Sequence, residues 1–140
     1  MSEDKLMSQQ SLKPEEILHL YYTSLYRGEL TTVNALMTEE SYRMTLETFG
    51  LRLSLRDAEF KFKLKNIKED PEALSEVEKI LSNELVERKL SPQIMINTIV
   101  KNGDQRQTIA YTEEGKVKKL YFSKEENGWK INYYAGRKVG

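Results

Sequence analysis

Cysteine is absent from this chain of 140 residues, which removes disulfides, zinc-thiolate sites and thiol nucleophiles together and suits a reducing compartment. Histidine occurs once, at position 19, so a Ser-His-Asp relay would have to be built around that residue. Glu16 and His19 form a Glu-x-x-His step, but the di-iron bundles that use such steps need two, and a second histidine does not exist. His19 sits one position off the apolar stripe of its helix and is read as a surface residue. No run approaches the ~18 apolar residues of a membrane span. Residues 1–10 are polar and mixed in charge, without the apolar centre of a secretory signal. A cytoplasmic location without a membrane partner is expected.

Charge of one sign is lacking too. Lys plus Arg equal Asp plus Glu at 22 each, so the molecule as a whole has no field to draw in nucleic acid. From Lys101 onward nine basic residues face five acidic ones, a mild excess fit for a contact face rather than a phosphate backbone. Gly103, Gly115 and Gly128 stand singly, at places where hairpin turns need them. No phosphate loop, dinucleotide fingerprint or nucleophile elbow surrounds them. Kinase, dehydrogenase and hydrolase readings have no support, and neither cofactor nor metal is expected.

What is present is enough apolar material for one core, with twelve Phe and Tyr residues and many leucines and isoleucines. Residues 1–11 lack periodicity and are expected to form a frayed arm, 12–136 one domain and 137–140 a tail. Ser11 and Pro14 stand where a helix begins, with Glu15 and Glu16 at its positive end. Ile17, Leu18, Tyr21, Tyr22, Leu25 and Tyr26 make two i/i+4 ladders, and Gly28 supplies the stop. Thr31 or Thr32 is expected to cap a short second helix through Val33, Leu36 and Met37, and Thr38 a third.

Residues 59–65 alternate as a half-buried strand does, whereas the wider window holds two helical stripes. One runs through Leu46, Phe49, Leu53, Phe60, Leu64 and Ile67, the other through Leu51, Leu55, Ala58 and Phe62. A long helix is preferred over a strand, with Gly50 as its kink point. Asp70-Pro71 opens a further helix carrying Leu74, Val77, Ile80, Leu81 and Leu85. Beyond Pro92 the period changes from 3.6 to 2. Residues 94–101, 105–112, 117–123 and 129–134 read as strands, divided by Asn102-Gly103, Glu114-Gly115 and Asn127-Gly128. Loops this short require antiparallel neighbours. The expected fold is α+β, with N-terminal helices packed on a curved, four-stranded antiparallel meander.

The meander holds an aromatic group, Tyr111, Tyr121, Phe122, Trp129, Tyr133 and Tyr134. Alternation sets Trp129, Ile131 and Tyr133 on one face of the last strand and Lys130, Asn132 and Tyr134 on the other. A face left free would carry tyrosines among lysines, the composition of an interface between subunits. Ordinary cross-strand pairing, at ~0.2–1 kcal/mol per pair, accounts for the same residues.

The stretch Tyr21-Tyr22-Thr23-Ser24-Leu25-Tyr26-Arg27-Gly28-Glu29-Leu30, running on to Val33 and Leu36, resembles the first helix, glycine-acid turn and short second helix of the nuclear transport factor 2-like superfamily. Asn127-Gly128-Trp129-Lys130-Ile131 is similar to that superfamily's closing strand. The resemblance implies a cone whose bent sheet curls around a helix to leave a pocket. Candidates to line it are Tyr21, Tyr22, Phe49, Tyr111, Trp129 and Tyr133. Isomerases of the superfamily use a tyrosine on helix one as oxyanion donor and an aspartate as base. Tyr21 falls at the first position, but the second falls near Thr45, with Glu40 and Glu47 the nearest acids. Without its base the dyad cannot move a proton between carbons. Residues 51–90 depart from the pattern by carrying added helix in place of early strands. The expected function is a non-enzymatic domain, a homodimer through its sheet, binding a partner protein or a small hydrophobic molecule. The alternatives are an isomerase or dehydratase using Tyr21 and an acid not yet located, and a structural domain working only inside a complex.

Overall fold

A computed structural model describes residues 12–135; the expected arm 1–11 and tail 137–140 lie outside them. Five helices precede one sheet: α1 (Pro14–Tyr26), α2 (Leu30–Ala35), α3 (Glu39–Arg56), α4 (Ala58–Lys65) and α5 (Pro71–Arg88), then β1 (Ile94–Lys101), β2 (Arg106–Glu113), β3 (Lys116–Glu125) and β4 (Gly128–Ile131). The strands pair antiparallel in the order β1-β2-β3-β4, an open meander. The α+β class and the change of rhythm at Pro92 are as the sequence implies.

Helix α1 is buried along both of its ladders: Ile17, Leu18 and Leu25 are fully covered and Tyr21, Tyr22 and Tyr26 nearly so. Covering each such aliphatic side chain stabilises the fold by roughly 1.5–3 kcal/mol. Pro14 occupies the first helical position, and the Glu16 carboxylate accepts from the Lys13 N–H at 3.0 Å. The helix stops at a left-handed Gly28 (φ +73°). There the N–H of Glu29 reaches the carbonyl of Ser24 at 2.8 Å and that of Gly28 reaches Leu25 at 3.0 Å, the paired bonds of a Schellman ending.

Three local expectations are corrected. Helix α2 begins after Glu29, without a side-chain cap, so neither Thr31 nor Thr32 caps it. Thr38 does cap α3, accepting from the Ser41 N–H at 3.4 Å. Residues 59–65 are helical, but the long helix breaks at Asp57 while Gly50 lies inside unbroken α3. Asp57 takes extended backbone and accepts from the N–H groups of Glu59 (3.0 Å) and Phe60 (3.1 Å), the bonds that restart a helix. Gly50 serves packing, since a Cβ there would lie 3.2 Å from the Phe60 ring and 3.3 Å from Leu64. Finally, β2 starts at Arg106 and β4 ends at Ile131, leaving Tyr133 and Tyr134 beyond the last strand. The Asn132 side chain accepts from the Tyr134 N–H at 3.0 Å and turns the chain away from the ladder.

The register sorts the sheet's two faces. Ile94, Ile96, Ile99, Ile109, Tyr111, Leu120, Phe122 and Ile131 point toward the helices. A bulge at Asn97 keeps Ile96 and Ile99 on that side although they are three residues apart. The edge of β4 is closed by the chain between α2 and α3: Ile131 donates to the Leu36 carbonyl at 2.8 Å and accepts from the Thr38 N–H at 2.9 Å. The Lys130 ammonium donates to the Ala35 carbonyl beside it. Burial there lowers the Lys130 pKa.

Candidate functional site

The polar chemistry of the interior gathers where α1 lies on the sheet. Tyr21, Tyr22 and Tyr26 sit one position and then one turn apart on α1, so all three hydroxyls point into the same layer. The Tyr22 hydroxyl meets that of Tyr111 at 2.5 Å, and Tyr21 meets Tyr133 at 3.0 Å. Tyr133 in turn meets the Thr45 hydroxyl at 3.1 Å. The Thr45 hydroxyl also lies 3.1 Å from the Ser41 carbonyl, so Tyr21, Tyr133 and Thr45 form one chain of hydroxyls. The Tyr133 N–H is fixed by the Ser41 hydroxyl at 2.9 Å. The rings stack edge-on, with Tyr22 5.0 Å from Tyr21, 5.7 Å from Tyr26 and 5.8 Å from Tyr111 between centroids, an arrangement that adds ~0.5–1.5 kcal/mol per pair.

One carboxylate belongs to this layer. Glu113 is 4% exposed, the one buried charged side chain among the described residues. It accepts from the Tyr26 hydroxyl and from the Lys118 ammonium at 2.7 Å. Both acceptor oxygens are thereby engaged, as burial of a charge requires. Sequence reasoning missed it, although the signal was there: Ile109, Tyr111 and Glu113 share one strand parity. A second such contact, from Tyr42 to Glu78, ties α3 to α5.

The structure thus brings together Tyr21, Tyr22, Tyr111 and Tyr133 and leaves Phe49 and Trp129 apart. Trp129 lines a depression of about 440 Å³ with Lys13, Ile99, Lys101 and Gln107, whereas Phe49 lines one of about 250 Å³ with Leu51, Leu55 and Arg88. Thr45 does come within one hydroxyl of Tyr21, but a threonine is no proton-abstracting base at neutral pH. Glu113 bonds Tyr26 and not Tyr21. His19 is exposed, and among the described residues no cluster of His, Cys, Asp or Glu could hold a metal ion. No described helix is long and apolar enough to cross a membrane.

Burial raises the pKa of Tyr21, Tyr22, Tyr26 and Tyr42, and pushes that of Tyr111 up to about 12. The neutral forms are the ones the fold favours, so these groups contribute their full stability below the ordinary tyrosine pKa of about 10. That contribution is lost as pH climbs through the raised values. In a spectrophotometric titration these five phenols are expected to ionise late and together with unfolding. Early, independent ionisation of all eight tyrosines would contradict the layer described.

The aromatic group of the meander divides between the two faces of the sheet. Tyr111 and Phe122 are turned inward and buried; on the outer face Tyr121 stands alone as an aromatic of β1–β3. Three cross-strand rows of that face span β1 to β3, Met95-Thr112-Val117, Thr98-Ala110-Lys119 and Val100-Thr108-Tyr121. Met95, Val100 and Val117 are 63%, 51% and 73% exposed. Among the described helices α1 lies closest along the sheet, on the opposite face. No family model, no curated protein and no solved structure matches this chain.

Proposed function

We propose that the chain is a non-enzymatic binding domain that forms a homodimer through the outer face of its sheet and presents its helical side to a partner protein. The observation that carries this reading is the outer face itself. Three large apolar side chains stand more than half exposed there, and with Tyr121 they mark the corners of a patch whose middle row is Thr98, Ala110 and Lys119, with Arg106 in the row beyond. Exposed apolar side chains and a tyrosine set among threonines have the composition of an interface, and a two-fold axis sets such a face against its own copy. Kinship with the nuclear transport factor 2-like superfamily fits the same picture: a first helix closed by Gly28 lies on an antiparallel meander that ends at Trp129–Ile131. The small-ligand reading has less behind it, because the tyrosines that would line a pocket bond one another. The isomerase reading would need a carboxylate at Tyr21, and the buried one is held by Tyr26 and Lys118.

In light scattering at tens of micromolar the chain is expected at twice its 16.4 kDa. Val100→Glu, which adds one carboxylate to the apolar patch of each copy, is expected to weaken association at least about tenfold with unchanged circular dichroism. A wild-type chain of monomer mass would overturn the dimer.

A further inference from the structure

The second helical stripe seen in the sequence is not used by the core. Leu51 is 60% and Leu55 80% exposed, one turn apart at the end of α3, while the first stripe is turned inward at Leu46, Phe60, Leu64 and Ile67. Beside Leu51 and Leu55 runs a groove of about 250 Å³, closed by Thr48, Phe49, Arg52 and, from α5, Arg88. Two arginines and no carboxylate line it. A third, Arg56, stands next to it; Glu84 lies 3.5 Å from both Arg56 and Arg88, and the exposed Glu47 stands one turn before Leu51 on α3. Three guanidinium groups, those of Arg52, Arg56 and Arg88, thus stand against two carboxylates, and the groove keeps a positive excess. A separate observation concerns Arg88: its Nε–H is buried and has no hydrogen-bond partner. A buried donor left so is unfavourable, and a small rotation of the guanidinium toward the groove would offer it to an incoming acceptor.

We propose that this groove is the docking site for an acidic amphipathic helix of a partner protein. Its apolar residues seat against Leu51, Leu55 and Phe49, and one of its carboxylates takes the guanidinium of Arg88. A helix suits better than a strand, because Leu51 and Leu55 present a ridge with the one-turn spacing that a second helix receives in its own grooves. The planar fork of arginine favours a carboxylate. The inference names the partner's chemistry for the partner-binding half of the proposed function and is independent of the sheet dimer.

A display library of random helical peptides selected on the full chain tests it. Enriched peptides are expected to carry Leu, Ile or Phe at i, i+4 spacing flanked by Asp or Glu, and to lose affinity as salt rises. Leu55→Glu, at a solvent-facing position, is expected to reduce binding of the selected peptides at least tenfold. Arg88→Gln is expected to do the same, with exposed Arg52→Gln as the second variant should Arg88→Gln unfold. Failure to enrich any peptide, enrichment of basic or uncharged ones, or equal binding to Leu55→Glu would overturn the proposal. A loss of dimer mass in Leu55→Glu would also overturn it, by giving the groove to a second copy of the chain. A wild-type monomer, in contrast, removes the sheet dimer and leaves the peptide result standing.

Discussion

Phe60→Ala is expected to lower the free energy of unfolding by about 3–5 kcal/mol, while Phe62→Ala, two residues on, changes it by no more than about 0.5 kcal/mol. Phe60 is 1% exposed and packs its ring against Gly50, where the absence of a side chain lets α4 approach α3. Phe62 is 70% exposed. In a strand both rings would share a face, since side chains two apart point the same way, and in a helix they point roughly 160° apart. The two substitutions therefore measure the conformation of residues 58–65 as well as the packing. Urea denaturation of both variants with unchanged m-value reads the contrast; equal losses would contradict the helical hairpin.

Gly28→Ala is expected to cost about 2–4 kcal/mol. The backbone there is left-handed at φ +73°, which alone penalises a residue with a Cβ by roughly 1–2 kcal/mol. The added carbon would also lie 2.7 Å from the Ser82 carbonyl and 2.8 Å from its hydroxyl. Ser82 donates that hydroxyl to the Gly28 carbonyl at 2.7 Å, so the substitution forces α5 away from the turn it is pinned to. Gly103→Ala and Gly115→Ala are the controls. Both glycines have positive φ, but a Cβ there meets nothing within 4 Å, so only the backbone penalty of roughly 1–2 kcal/mol applies. Thermal unfolding of the three variants separates strain from collision, and equal losses would mean that the packing of α5 on this turn contributes little.

How far the fold could be read follows from the same residues. Helix α1, the Asp70-Pro71 start and the rhythm change at Pro92 are local signals: a periodicity, a cap and a pair of turns each lie within one window. The break at Asp57 is local as well, yet the apolar spacing hid it, since the seven residues from Leu53 to Phe60 are also two turns of an unbroken helix. The early end of β4 was masked in the same way. Trp129, Ile131 and Tyr133 keep alternating, and the pattern does not reveal that the Asn132 side chain competes for the backbone.

The candidate site was legible only in part. Tyr21, Tyr22, Tyr111 and Tyr133 do meet, but their partners are separated by 112 residues in one pair and 89 in the other. Which hydroxyl finds which depends on how α1 is rotated over the sheet, and no single window contains that. The outer face of β1–β3 was not assigned, because its sense is fixed by the bulge at Asn97 and by the inward turn of Tyr111. Once that parity is set, Met95, Val100, Val117 and Tyr121 fall together on the open side.

Isotope-filtered nuclear Overhauser spectra of a mixture of labelled and unlabelled chain report on the pairing of two copies through that open side. Intermolecular signals are expected from the methyl groups of Met95, Val100 and Val117 to the Tyr121 ring of the other copy. Intermolecular signals confined to Leu51 and Leu55, or none at a concentration where both copies are folded, would contradict it.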